Sequence, residues 1–155
     1  MAVRSGARAV ADLSRGMILA SVEIEAQPER VFAALSSAEI AQWWGSPELY
    51  RVTKWTGDLR LGGAWRSEGV GADGKAFAVG GEYIEIDPPR VLAHTWKPEW
   101  IPGPPTTVRY EIAPIPGGSR VTVRHEGFVD AASCDSHANG WERVLGWLKA
   151  FADSP

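Results

Sequence analysis

The sequence predicts an α+β domain. One long C-terminal helix lies across a curved antiparallel sheet of about seven strands, with two short helices after the first strand. Three observations carry this reading. Short runs of alternating apolar and polar residues follow one another through the middle of the chain, separated by glycine, proline and aspartate turns. The gaps between them are too short for the crossover helices that parallel strands need. Only the C-terminal segment holds an apolar stripe at helical spacing long enough to cover a sheet face.

Residues 1–16 carry Arg4, Arg8 and Arg15 against Asp12 and lack the apolar block of a secretory signal, so they read as a loose arm. The domain is expected over 17–155. From Met17 the chain alternates strictly: Ile18, Ala20, Val22 and Ile24 share one parity, which predicts a half-buried strand. Pro28 opens a short helix where its missing N–H is harmless, with Val31, Phe32 and Leu35 as the apolar face. Ser36 and Glu39 have capping-box spacing, so a second short helix is expected there, with Ile40, Trp43 and Trp44 on one face and Gly45 and Pro47 ending it.

Strands are then expected at Arg51 to Trp55, Ala64 to Val70 and Lys75 to Ile86, the last broken or bulged at Gly80-Gly81. After the Asp87-Pro88-Pro89 turn, Arg90 to Lys97 places Leu92, His94 and Trp96 on one parity. A proline-rich loop carrying Trp100 leads to Thr106–Ile112, and a further turn to Arg120–Phe128. In these two strands Val108, Tyr110, Ile112 and Val121, Val123, His125 point one way, and Arg, Glu and Thr the other. A sheet with one dry and one wet face is the antiparallel habit. From about Ser133 to Phe151, His137, Trp141, Val144, Leu145, Leu148 and Phe151 recur at helical spacing, giving a helix of roughly five turns.

Composition narrows the function. A net charge of −3 gives no electrostatic footprint for nucleic acid. No apolar run reaches the length of a membrane span. A single cysteine forms no internal disulfide and fits a reducing, cytoplasmic setting. The glycine-rich pieces at 57–63 and 69–74 open no helix and are turns, not phosphate loops. No cofactor or metal is implied, since the three histidines lie in separate elements without metal-like spacing. The outlier is tryptophan, with eight copies beside three tyrosines and four phenylalanines.

Several pieces, in this order and spacing, resemble one family. They are Val22-Glu23-Ile24 running into Pro28-Glu29-Arg30-Val31-Phe32-Ala33-Ala34-Leu35; Trp43-Trp44; Asp58 to Gly63; Gly81 to Leu92 with its Asp87-Pro88-Pro89-Arg90 turn; Thr95-Trp96; Val121 to Gly127; and His137 with Gly140-Trp141. Together they resemble the bacterial Hsp90-ATPase-activator-homologue-like family of the START/birch-allergen-like superfamily of polyketide cyclases, dehydrases and lipid carriers. The resemblance implies the helix-grip fold and an apolar cavity between sheet and long helix. It does not imply one reaction: superfamily members bind lipids, polyketides or hormones, a minority catalyse cyclisation or hydrolysis, and the eukaryotic namesake binds a chaperone.

A cavity of this kind needs large stiff apolar walls, which indoles supply. Trp65, Trp96 and Trp141 fall on inward parities, together with Val79, Tyr110 and Leu145. Trp43 and Trp44 occupy what the superfamily uses as the cavity rim, and Trp100 is placed to act as a lid. His125 is expected to point inward and to tag a polar group on a ligand, or Tyr110 to do so through its hydroxyl; His137 is expected to approach the cavity. Trp55 and Trp147 read as packing, and Arg60 and Arg66 as a solvated face. Glu82 shares parity with Ile84 and Ile86, so an acid–base pair with His125 is the catalytic alternative. Cys134 reads as a bystander, a thiol nucleophile needing a histidine and a third orienting group. The expected partner is therefore a hydrophobic small molecule, bound without catalysis. A homodimer and a chaperone are the macromolecular partners weighed beside it.

Overall fold

The computed structural model describes residues 6–153. Nine strands form one antiparallel sheet that is not closed: β1 (Arg8–Asp12), β2 (Met17–Ile24), β3 (Gly45–Ser46), β4 (Tyr50–Gly57), β5 (Ala64–Gly71), β6 (Ala76–Asp87), β7 (Val91–Pro98), β8 (Thr106–Ile115) and β9 (Gly118–Glu126). Three helices complete it: α1 (Pro28–Leu35), α2 (Ile40–Trp43) and α3 (Ala131–Ala152). The order across the sheet is β1-β2-β9-β8-β7-β6-β5-β4-β3. Strands β3 to β9 follow in chain order as hairpins, and β9 then pairs back onto β2. This is the helix-grip arrangement, with nine strands rather than about seven.

The two additional strands are the ones with the weakest sequence signal. β3 has two residues. β1 is Arg-Ala-Val-Ala-Asp, poor in the branched and aromatic residues that mark strands. Residues 1–5 of the expected arm lie outside the described residues; within them, Arg8–Asp12 pairs in register with Met17–Ser21, so that part of the arm is sheet. The β1–β2 turn depends on Gly16, which has φ +63° and whose added Cβ would lie 2.0 Å from the Phe128 carbonyl oxygen.

Helix α1 begins on Pro28 as the sequence indicates. The capping box at Ser36 does not form. Ser36 Oγ instead donates to the Phe32 carbonyl at the end of α1, and α2 is a single turn entered from Glu39 without a side-chain cap. Helix α3 starts at Ala131, earlier than its apolar stripe, because Asp130 caps it by accepting from the Ala132 and Ser133 N–H groups.

The break expected at Gly80-Gly81 lies further on. Register is continuous through both glycines and slips between Tyr83 and Glu85. Gly81 serves close approach instead: an added Cβ would sit 2.0 Å from the Thr95 carbonyl oxygen and 2.7 Å from Trp65 Nε1. Unbroken register as far as Tyr83 keeps Phe77, Val79 and Tyr83 on the inner face and Glu82 outside, and Ile84, at the slip, is exposed. The inward placement expected for Glu82 is thereby overturned.

The core lies between the sheet and α3. Cys134, Ala138, Trp141, Leu145, Leu148 and Ala152 form the buried stripe of the helix. The close backbone approach of α3 is to β2 and β1, with α1 and α2 also touching it; no comparable approach is made to β5, β6, β7 or β8. Helix and sheet are thus joined along one side and splayed over the other.

Candidate functional site

Where α3 stands away from the sheet, side chains from both layers border a cavity of about 410 Å³. The sheet contributes Trp65 from β5, Val79 from β6, Trp96 from β7 and Tyr110 from β8, all on the inward parities of their strands. Helix α3 contributes His137 and Trp141, and Trp44 closes the end below α2. Trp100, 60% exposed, stands at the opening in the loop after β7. Three of the eleven residues expected at the site do not line it. Trp43 turns into the core and donates to the Ala34 carbonyl at 3.0 Å. Leu145 is fully buried in the seam with the sheet, and His125 lies behind Trp141.

The rings form a connected set. Trp44 and Trp96 stack at 6.0 Å, Trp96 meets Trp65 at 5.8 Å and Trp141 at 6.4 Å, and Trp65 meets the His94 ring at 4.7 Å. Such contacts add modest energy beyond burial and hold the walls in fixed orientation.

Two indole N–H groups are taken up by histidines. Trp141 Nε1 donates to His125 Nδ1 at 3.0 Å. An indole nitrogen only donates, so Nδ1 of His125 is unprotonated and its Nε2–H donates to Thr106 Oγ1 at 2.6 Å. The Thr106 hydroxyl in turn donates to the Trp96 carbonyl at 3.3 Å. Likewise, Trp96 Nε1 donates to His137 Nε2 at 3.4 Å while His137 Nδ1 donates to the Ser133 carbonyl at 2.8 Å. The two imidazoles hold opposite tautomers and have no free nitrogen. Burial, reinforced by His137 and His94, holds the His125 pKa well below its ordinary value; burial also lowers that of His137.

The deep wall differs. Tyr83, His94 and Tyr110 come from the adjacent strands β6, β7 and β8, with ring centroids 6.1 Å apart for Tyr83–His94 and 5.9 Å for His94–Tyr110. His94 Nδ1 donates to the Thr95 carbonyl at 2.9 Å, which leaves Nε2 as a bare acceptor. Neither tyrosine hydroxyl bonds to any described residue. Both tyrosines are only 2% exposed. Burial brings the His94 pKa down to about 4 and pushes the Tyr83 pKa up to about 12. Burial and then Tyr83 raise that of Tyr110.

Parity reasoning missed Tyr83 because it assigned the β6 slip to the glycines. It missed Tyr50, Phe77 and Ile101, which lie where alternation is short or absent, and it placed Trp55, which lines the cavity, as packing. Arg143 is the single charged residue of the lining, and no carboxylate belongs to it. Arg60 and Arg66 are engaged with Asp58 and with Glu68 and Glu99 away from the cavity.

The catalytic arrangements weighed from sequence are not assembled. Glu82 faces outward and His125 has both nitrogens occupied. Cys134 Sγ donates to the Met17 carbonyl at 3.8 Å, and burial followed by Asp135 and Asp12 raises its pKa, against thiolate chemistry. Among the described residues no cluster of three metal-ligating side chains exists, and no helix is long and apolar enough to cross a membrane.

Comparison with known proteins gives the following. Residues 25–153 match the family described as activator of Hsp90 ATPase homolog 1-like protein. Protein CV1439 from Chromobacterium violaceum is 26% identical, with TM-score 0.78, over 90% of this chain and 99% of that one. Protein Ms6760 from Mycobacterium smegmatis is 19% identical, with TM-score 0.75, over 95% and 96%. CalU16 from Micromonospora echinospora is 20% identical, with TM-score 0.69, over 100% and 88%. The last two likenesses speak to the fold alone. No curated protein matches.

Proposed function

The chain belongs to the activator of Hsp90 ATPase homolog 1-like family, and from that premise we propose that it binds a hydrophobic, ring-bearing small molecule in the cavity between sheet and helix. The observation that carries the reading is the lining: about 410 Å³ of space bordered by indole, phenol and aliphatic side chains with one charged residue at its edge. Small-molecule sites occupy roughly 300–1,000 Å³ and are apolar with a few placed polar groups. The indole N–H groups of Trp96 and Trp141 are taken up by histidines, so these rings offer a guest their faces rather than hydrogen bonds. Flat faces favour a flat guest over a flexible chain. Binding supports sequestration, transport or sensing, and needs no bond to be made or broken.

The test is a titration of intrinsic tryptophan fluorescence with naphthalene, flavone and dodecanoate. Saturable quenching is expected with the ring compounds and weaker or no response with the fatty acid. The quenching should disappear in Val79→Trp, which fills the space, provided circular dichroism shows the variant folded. No saturable response to any of the three compounds overturns the reading.

A further inference from the structure

We propose that the deep wall of the cavity is a recognition site for a hydroxyl group on an aromatic guest, held between Tyr83, His94 and Tyr110. This inference rests on the binding reading above and names the chemistry the guest presents first.

Buried polar groups are nearly always paired. Among the described residues, the side-chain polar atom both sealed from any solvent-sized space and without a partner is Trp65 Nε1. The Tyr83 and Tyr110 hydroxyls and His94 Nε2 also lack protein partners, and their residues line the cavity. Since they are not among the sealed atoms, they are open to the cavity. Three hydrogen-bonding atoms on neighbouring strands thus face one apolar chamber with nothing from the protein to satisfy them. Elsewhere the same chamber is handled differently: the N–H groups of Trp96 and Trp141 and both nitrogens of His125 and His137 are all engaged within the fold.

The kinds of atom left open define the complement. Each phenol can donate, and His94 Nε2 can only accept, because Nδ1 carries the proton. A hydroxyl accepts through its oxygen and donates through its hydrogen, so one hydroxyl meets both requirements. An ether or ketone oxygen meets the phenols but leaves the imidazole bare. A hydrocarbon meets neither. With no guest, water takes these bonds. A phenol-bearing guest reproduces that water's bonds while its ring replaces the remaining solvent against the indoles. His94 remains an acceptor at neutral pH, since burial holds its pKa down to about 4.

The experiment compares naphthalene, 2-methoxynaphthalene and 2-naphthol by tryptophan quenching and calorimetry on the wild-type chain and on Tyr83→Phe/Tyr110→Phe. Transfer out of water alone favours naphthalene, because an added hydroxyl costs desolvation. The expected result is the reverse: 2-naphthol binds about tenfold or more tighter than naphthalene, a difference of ~1.4 kcal/mol, with 2-methoxynaphthalene between the two. In the double variant the naphthol advantage falls below about threefold, against a fixed naphthalene affinity. Equal wild-type affinity for naphthalene and 2-naphthol, or an advantage that survives in the double variant, overturns the hydroxyl site while leaving cavity binding intact. Failure of all three compounds to bind overturns the binding reading itself.

Discussion

Trp141 and His125 hold each other in one chemical state. The indole donates to Nδ1, and the proton on Nε2 goes to Thr106. Trp141→Phe keeps an aromatic ring but removes the donor and part of the indole, so Nδ1 is left buried and unpaired beside lost packing; a loss of about 2 kcal/mol or more is expected in urea unfolding. Tyr83→Phe also removes one polar atom, but an atom with no protein partner, and its expected effect is within ~0.5 kcal/mol. If the two variants lose equal stability, the hydrogen-bond assignment is wrong. The histidines also set the acid limit. His94, His125 and His137 have lowered folded-state pKa values, and in the unfolded chain they take protons near 6.5. Their contribution is complete above that pH. As pH falls from about 6.5 towards 4, the unfolded state binds more protons, and stability declines by up to ~1.4 kcal/mol per unit for each histidine. The rings around His94 are the Tyr83 and Tyr110 phenols and the Trp65 and Trp96 indoles, with no carboxylate in the lining to offset the loss. Urea midpoints at pH 7.5, 6 and 5 check this, and a flat profile contradicts it. The inward direction of His125 was legible from the alternation of β9. Its role was not, because Trp141 and Thr106 reach it from α3 and β8, and parity within one strand carries no information about what another element brings opposite.

Among the elements, β6 shows both the reach and the limit of pattern reading. Glycines in a strand mark either a slip or a close approach, and the sequence does not distinguish them. Here Gly80 and Gly81 stay in register, and the slip at Tyr83–Glu85 reverses the faces beyond it. Because register holds as far as Tyr83, that residue shares the inner face with Val79 and Glu82 does not; the reversal beyond it separates Glu82 from the face of Ile86. Because an added Cβ at Gly81 would overlap the backbone oxygen of Thr95 and the indole of Trp65, Gly81→Ala is expected to destabilise by about 2 kcal/mol or more. It should also disturb the Trp65 fluorescence environment; thermal unfolding with emission spectra checks both. The long alternating strands and α3 were readable because each buries one face, and burial writes a period into the sequence. β1 and β3 were not, since one is alanine-rich and the other is two residues long. The Ser36 box failed because its hydroxyl had a nearer acceptor in the last turn of α1.

For the molecule as a whole, the splay between α3 and the sheet governs what binding does to stability. A guest that occupies the cavity only in the folded state raises unfolding free energy in proportion to the logarithm of its concentration. At one hundred times its dissociation constant the gain is about 2.7 kcal/mol. 2-Naphthol at that excess is therefore expected to raise the thermal midpoint by several degrees, and an unchanged midpoint would mean that it binds elsewhere or not at all. The existence of a cavity was not legible in any residue count, because it arises from where the helix axis sits over the sheet. The side chains able to border it were legible: Trp65, Trp96 and Trp141 stand on the faces their periodicity indicated.

The pairing of β2 with β9 has a consequence for biosynthesis. Strand β2 leaves the ribosome well before its sheet neighbour on that side, residues Ser119 to Glu126. The hairpins from β3 to β9 can zip locally as they emerge, whereas Ile18, Val22 and Ile24 must wait for their partner strand until β9 has been made. Closure between such distant segments is entropically slow. A nascent chain stalled before β9 would therefore present a sticky edge.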